Sequence, residues 1–167
     1  MRPTFPAALI LMMLATPTLA VGTLDGRIVT LNVLTYDDPT APILESRGRT
    51  VTVGDGLEFG MGPEYRTPGF DVVPVQVQIS PSRIEFSYGE ARGAFWPAEF
   101  NGYVLRFETE CALFDGWTID ANATTMPVTA TDIHAEQGAL FINVDGRDYG
   151  PEATLAIDMS VTDCPLS

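Results

Sequence analysis

The chain has 167 residues, 46% of them hydrophobic, and its 22 acidic residues against 9 basic ones give a formal net charge of −13 at pH 7. That charge argues against nucleic acid and anionic lipid surfaces as partners, because binding to either draws on cationic side chains. The length suits one domain with a single core and is short for two.

Residues 1–20, MRPTFPAALILMMLATPTLA, have the three parts of a secretory signal peptide. Arg2 supplies the positive start, Ala7 to Ala15 the apolar run, and Thr18-Leu19-Ala20 a small-x-small cleavage site before Val21. The apolar run is short for a bilayer span, which needs about 20 apolar residues. The expectation is a cleaved leader, no transmembrane anchor thereafter, and one exported domain over residues 21–167, periplasmic or secreted.

Strand periodicity dominates that domain, and no stretch sustains helical spacing. Arg27 to Tyr36 alternates Val29, Leu31 and Val33 with Thr30 and Asn32, as a half-buried strand does, and Asp37-Asp38-Pro39 ends it. A second strand is predicted over Arg49 to Val53, turned by Gly54-Asp55-Gly56 into Leu57-Glu58-Phe59. Residues 60–69 hold three glycines and two prolines and read as a surface loop. Val73 to Ile79 and Ile84 to Tyr88 alternate again around Pro81-Ser82, which predicts a hairpin. Tyr103 to Phe107, Trp117 to Asp120, Val128 to His134, Ala139 to Val144 and Thr154 to Val161 complete the series. Eight or nine short strands with frequent turns point to an all-β fold, an antiparallel β-sandwich, because two facing sheets account for one apolar face per strand.

Cys111 and Cys164 both fall in the exported part. An oxidising compartment and an even count predict a disulfide between them, closing a loop of just over fifty residues. The competing reading, a thiol nucleophile, needs a nearby base, and the chain has a single histidine, His134.

The segments Val51 to Phe59, Phe100 to Val104, Ala139 to Asp145 and Thr154 to Val161 resemble a group of small exported bacterial proteins, many of which carry the PEP-CTERM sorting tail. The resemblance spans roughly residues 49–161 and implies an exported β-sandwich without bringing an activity. The chain departs from that pattern at its end, Cys164-Pro165-Leu166-Ser167, which has no sorting motif, so a soluble exported form is expected.

His134 is the natural candidate for acid–base chemistry near neutral pH. On a strand it would share a face with Asp132 and Glu136, although a solvated polar face explains the same residues. Oxygen-rich turns make calcium the better metal candidate: Asp37-Asp38, Asp55 between glycines, and Asp145 with Asp148 around Gly146 offer carboxylates beside backbone carbonyls. Turn-forming aspartate explains all three without a metal. Aromatic residues near glycine- and proline-rich loops, Tyr65, Phe95, Trp96, Phe100 and Tyr103, form a third group. Tyr65 and Trp96 are the candidates for a platform on which sugar rings stack, against the competing need for large core side chains.

Nucleophile elbows, phosphate loops and zinc-protease motifs are absent from the sequence. Glu108 and Glu110 lie two apart on one strand face, whereas acid pairs in glycosidases normally come from separate strands. Asn122-Ala123-Thr124 fits a glycosylation sequon. The leading expectation is a non-catalytic exported protein acting in ligand binding or in envelope or matrix structure, with no cofactor other than a possible calcium ion. The alternatives are a calcium-dependent or aromatic-platform carbohydrate-binding module and an extracellular polymer hydrolase using His134 with a carboxylate.

Overall fold

The computed structural model describes residues 22–60, 75–136 and 138–165. The fold is all-β, with two antiparallel sheets packed face to face. In chain order the strands are β1 (Ile28–Tyr36), β2 (Leu44–Glu45), β3 (Arg49–Thr52), β4 (Leu57–Phe59), β5 (Gln76–Ser80), β6 (Arg83–Ser87) and β7 (Gly93–Ala94). They continue as β8 (Phe100–Phe107), β9 (Phe114–Ile119), β10 (Ile133–Glu136), β11 (Ala139–Asn143), β12 (Asp148–Tyr149) and β13 (Thr154–Val161). Thirteen strands among the described residues exceed the eight or nine expected. The excess includes the two-residue strands β2, β7 and β12, which are too short to show a period.

The first sheet has the order β10-β11-β8-β1-β2, with β3 also paired to β1; the second runs β4-β5-β6-β13-β9. The alternation in the sequence sets the register. Val29, Leu31 and Val33 of β1 lie opposite Phe107, Leu105 and Tyr103 of β8, and Leu105 and Tyr103 lie opposite Leu140 and Ile142 of β11. In the second sheet Val77, Phe86 and Leu155 form one inward row, and Ile79, Ile84, Ile157 and Ile119 form the next. A one-residue slip in any of these pairings would turn the apolar set to water. The two inner faces meet in one continuous core. Phe86 stacks on Tyr103 at 5.3 Å between centroids and Phe107 meets Phe114 edge-on at 5.4 Å, so rings from opposite sheets interlock directly.

Two of the close approaches that call for glycine lie within strands. A Cβ on Gly102 of β8 would lie 1.9 Å from the Ile142 carbonyl oxygen, and one on Gly93 of β7 would lie 2.5 Å from the Tyr149 hydroxyl. The second approach lets β7 pair with β12, bringing Tyr149 against Tyr88 and Phe95 at one end of the core. The hydroxyls of Tyr88 and Tyr103 are buried there without a hydrogen-bond partner among the described residues. Each phenol influences the other's ionisation without reaching hydrogen-bonding geometry, and burial pushes the Tyr88 phenol up to about 12 and that of Tyr103 well above its ordinary value.

The entry and exit of the described chain are fastened together. Cys111, between β8 and β9, is bonded to Cys164, beyond β13, with Cα atoms 6.2 Å apart and a sequence separation of 53. Arg27 is buried beside this junction. Its guanidinium donates to the carbonyl oxygens of Thr23 at 3.2 Å, Pro165 at 3.2 Å, and Cys164.

A strand over Val128 to His134 is corrected in part. Ala130–Asp132 form a 3-10 turn and the strand begins only at Ile133. Within the turn Thr129 and Asp132 cap each other, the Asp132 carboxylate accepting hydrogen bonds from the Thr129 backbone N–H at 2.7 Å and hydroxyl at 2.8 Å. Local side-chain bonding of this kind competes with ladder formation.

Candidate functional site

The acid–base cluster foreseen around His134 loses Asp132 in the fold, while His134 and Glu136 stay two apart on β10. Asp132 belongs to the 3-10 turn and not to the strand face, and its carboxylate is taken by Thr129 and by Arg147 at 2.8 Å. His134 stands on the outer face of the first sheet and stacks in parallel on Phe141, 4.4 Å between centroids. Arg106 lies 5.4 Å from the centroid of the same Phe141 ring. This face carries a second apolar cluster of Phe100, Val104 and Ala139 with Leu34, Tyr36 and Phe141 against it.

Arg147 collects the neighbouring carboxylates. Besides Asp132 it pairs with Asp145 at 3.3 Å and donates to the carbonyl oxygens of Asp145 at 3.0 Å and Pro127 at 3.1 Å. Burial opposes ionisation of Asp132, but the Thr129 hydrogen bonds and the Arg147 charge outweigh it and hold the carboxyl below its usual 3.8. A depressed native pKa contributes stability that is complete above the unfolded value and is lost as the pH falls through the native one. Thermal melts between about pH 6 and pH 2 are therefore expected to show a smaller loss on acidification in Asp132→Asn than in the wild type. Equal slopes would show that the carboxylate contributes nothing.

The three aspartates proposed for calcium are not brought together. Asp55 sits exposed in the turn between β3 and β4, Asp145 pairs with Arg147, and Asp148 lies on β12. Asp38 serves as a turn acceptor for the Thr40 N–H at 2.8 Å, and Asp37 accepts from the Glu99 N–H, 62 positions away in sequence, at 3.1 Å. Among the described residues no group of three or more His, Cys, Asp or Glu side chains is arranged to hold a metal ion. Of the aromatic candidates, Phe95, Phe100 and Tyr103 are buried and Trp96 is 77% exposed. Tyr65 lies outside the described residues. Glu108 and Glu110 are both exposed beyond the end of β8, off any strand.

A concave feature that sequence reading missed lies on the outer face of the second sheet. Strand pairing sets three rows of side chains there: Gln76, Ser87 and Thr154; Gln78, Glu85 and Ala156; and Ser80, Arg83 and Asp158. An open groove of about 270 Å³ covers the first two rows, lined by Leu57, Gln76, Gln78, Glu85, Ser87 and Thr154. Its depth comes from Ala156, the smallest side chain of the middle row. Its walls come from irregularities at either side. On one side the pairing of β4 with β5 shifts between Leu57 and Phe59. Glu58 there turns inward, accepting the Ile79 N–H at 2.6 Å and the Gly54 N–H at 3.2 Å, while Leu57 stays exposed. On the other side the chain after β9 folds along β13, held by the Ala156 N–H donated to the Thr124 hydroxyl at 3.0 Å, and brings Ala123 to the rim.

The third row closes the groove electrostatically. Arg83 reaches Asp158 at 2.7 Å, Asp120 at 2.8 Å and Glu85 at 3.2 Å. The Arg83 guanidinium beside it holds the Asp120 carboxyl below the usual range, and those acids in turn hold the Arg83 proton more tightly. Three carboxylates thus surround one guanidinium, and no cationic side chain is among the described residues that line the groove. Amides, hydroxyls and a carboxylate facing outward from rigid strands can bind and orient a ligand.

Comparison of the chain with family models, with curated proteins and with solved structures finds no match in any of the three. Among the described residues no helix is long and apolar enough to cross a membrane.

Proposed function

We propose that this chain is an exported, non-catalytic binding module of the cell envelope or its surroundings, sent out by the leader at residues 1–20. One observation carries the reading: the only histidine is stacked on Phe141 while Asp132, the carboxylate expected beside it, is committed to Arg147, so the His134–Asp132 acid–base pair is not assembled. The disulfide-fastened sandwich offers rigid outer surfaces instead, and rigid surfaces bind at low entropic cost. The resemblance of residues 49–161 to small exported bacterial sandwich proteins is in keeping with this reading.

Binding and turnover separate the two function classes. Pull-down on insoluble envelope and extracellular polysaccharide fractions is expected to retain the wild type and His134→Ala equally, with no soluble fragments released by either. Fragment release by the wild type that is lost in His134→Ala would overturn the reading in favour of a hydrolase. Trp96, 77% exposed, marks the rival site: were an apolar sugar face to stack on its indole, Trp96→Ala would abolish retention.

A further inference from the structure

We infer that the groove on the outer face of the β4-β5-β6-β13-β9 sheet is the binding site, and that it takes a neutral, hydroxyl-rich chain of the uncharged-glycan class. The inference rests on the binding reading above and goes further by committing to a place and a ligand chemistry. Four properties of the groove carry it.

Its polar groups are unspent. The Gln78 amide makes no hydrogen bond among the described residues, and Gln76 uses only its carbonyl oxygen, accepting from the Ser87 hydroxyl at 3.3 Å. Both side-chain NH2 groups therefore remain available, each with two donors. Amides and hydroxyls donate and accept, which matches sugar hydroxyls, themselves donors and acceptors. The Glu85 carboxylate adds an acceptor at the centre, its nearest cation being Arg83 at 3.2 Å.

Its charge selects against anions. Arg83 is shared among three carboxylates, and the chain as a whole is strongly acidic, so a sulfated or uronic-acid chain would meet net repulsion. Its apolar parts suit the other side of a sugar ring: Leu57, 41% exposed at one wall, and Ala156 and Ala123 at the base and rim offer CH surfaces between the polar groups. Its size, about 270 Å³, falls just under the roughly 300–1,000 Å³ range of drug-sized sites. It is open above the sheet, and this fits one or two sugar units of a chain that continues out of both ends.

A free sugar and a polymer segment share this chemistry, and the test distinguishes them. An array of neutral and acidic mono-, oligo- and polysaccharides is probed with the disulfide-bonded protein, with the double variant Gln76→Ala/Gln78→Ala, and with Trp96→Ala. Both glutamines stand on the outward face, so their truncation leaves the core untouched, and far-ultraviolet spectra and melting temperatures check this. The expected result is binding to at least one neutral glycan, stronger for oligomers than for the monosaccharide. The double variant should weaken it by about tenfold or more, as expected for loss of two direct hydrogen bonds, with Trp96→Ala unchanged. Titration of the isotopically labelled wild type with that oligosaccharide should shift the side-chain amide resonances of Gln76 and Gln78. Binding lost in Trp96→Ala but kept in the double variant would overturn the groove and leave the binding module standing. Preference for acidic glycans would overturn the ligand class. No binding across the array would overturn the inference, and retention on envelope fractions would then decide the broader reading by itself.

Discussion

Loss of the Cys111–Cys164 bond is expected to lower the unfolding free energy by about 4 kcal/mol, the chain-entropy value for a closed loop of this length. In a domain of this size that corresponds to a fall in melting temperature of about 10 °C. The bond joins the segment after β13 to the connection between β8 and β9, and so ties the two sheets together at one end. Without it the segment around Cys164 keeps its burial, with that residue only 5% exposed, but the unfolded chain gains the freedom of the open loop. Calorimetry of the protein with and without reductant, and of Cys111→Ser/Cys164→Ser, measures the effect. Coincident melting curves would show that the native bond is worth nothing.

The second large effect is expected at Arg27. This side chain is 3% exposed and donates to three backbone carbonyl oxygens, with no carboxylate among its hydrogen-bond partners in the described residues. Hydrogen bonds from a charged group contribute about 1.5–3 kcal/mol each, and an acceptor left buried without a donor costs its desolvation. The three are not additive, since one guanidinium serves them all, and Arg27→Met is expected to lose about 3 kcal/mol overall. Lysine offers a compact ammonium in place of a planar fork, so Arg27→Lys should recover only part of the loss. Urea denaturation gives the magnitude, and hydrogen exchange should report earlier opening at residues 22–27 and 162–165. The same carbonyl of Cys164 links this site to the disulfide. The combined variants should consequently be less destabilised than the sum of the two, as expected for groups that share a partner. Strict additivity would mean that the two fasten the chain independently.

Much of the fold was legible because its information is local. The β13 strand spans Thr154–Val161, as its alternation predicts, and the β5–β6 hairpin turns at Pro81-Ser82. Cysteine count and compartment likewise predict the pairing now seen. Other features depend on what lies across the sheet. Phe100 and Phe141 read as loop or core residues in sequence, but pack together with Tyr36 on the outer face. Asp132 and His134, two apart, read as one strand face until the Thr129–Asp132 cap begins the strand a residue later.

The sequence by itself determined that this protein is built of extended strands, which side of most strands faces inward, and which cysteines pair, because a period of two and a count of two need no knowledge of neighbours. Only the tertiary structure decided what the outward faces do. The groove exists because Gln76, Ser87 and Thr154, which are 11 and 67 residues apart along the chain, become cross-strand neighbours. Its hollow exists because a small alanine lies between the irregular β4–β5 pairing and the segment bonded along β13. Side chains on one sheet face are set side by side by strand order, and strand order is fixed by the burial of the opposite face.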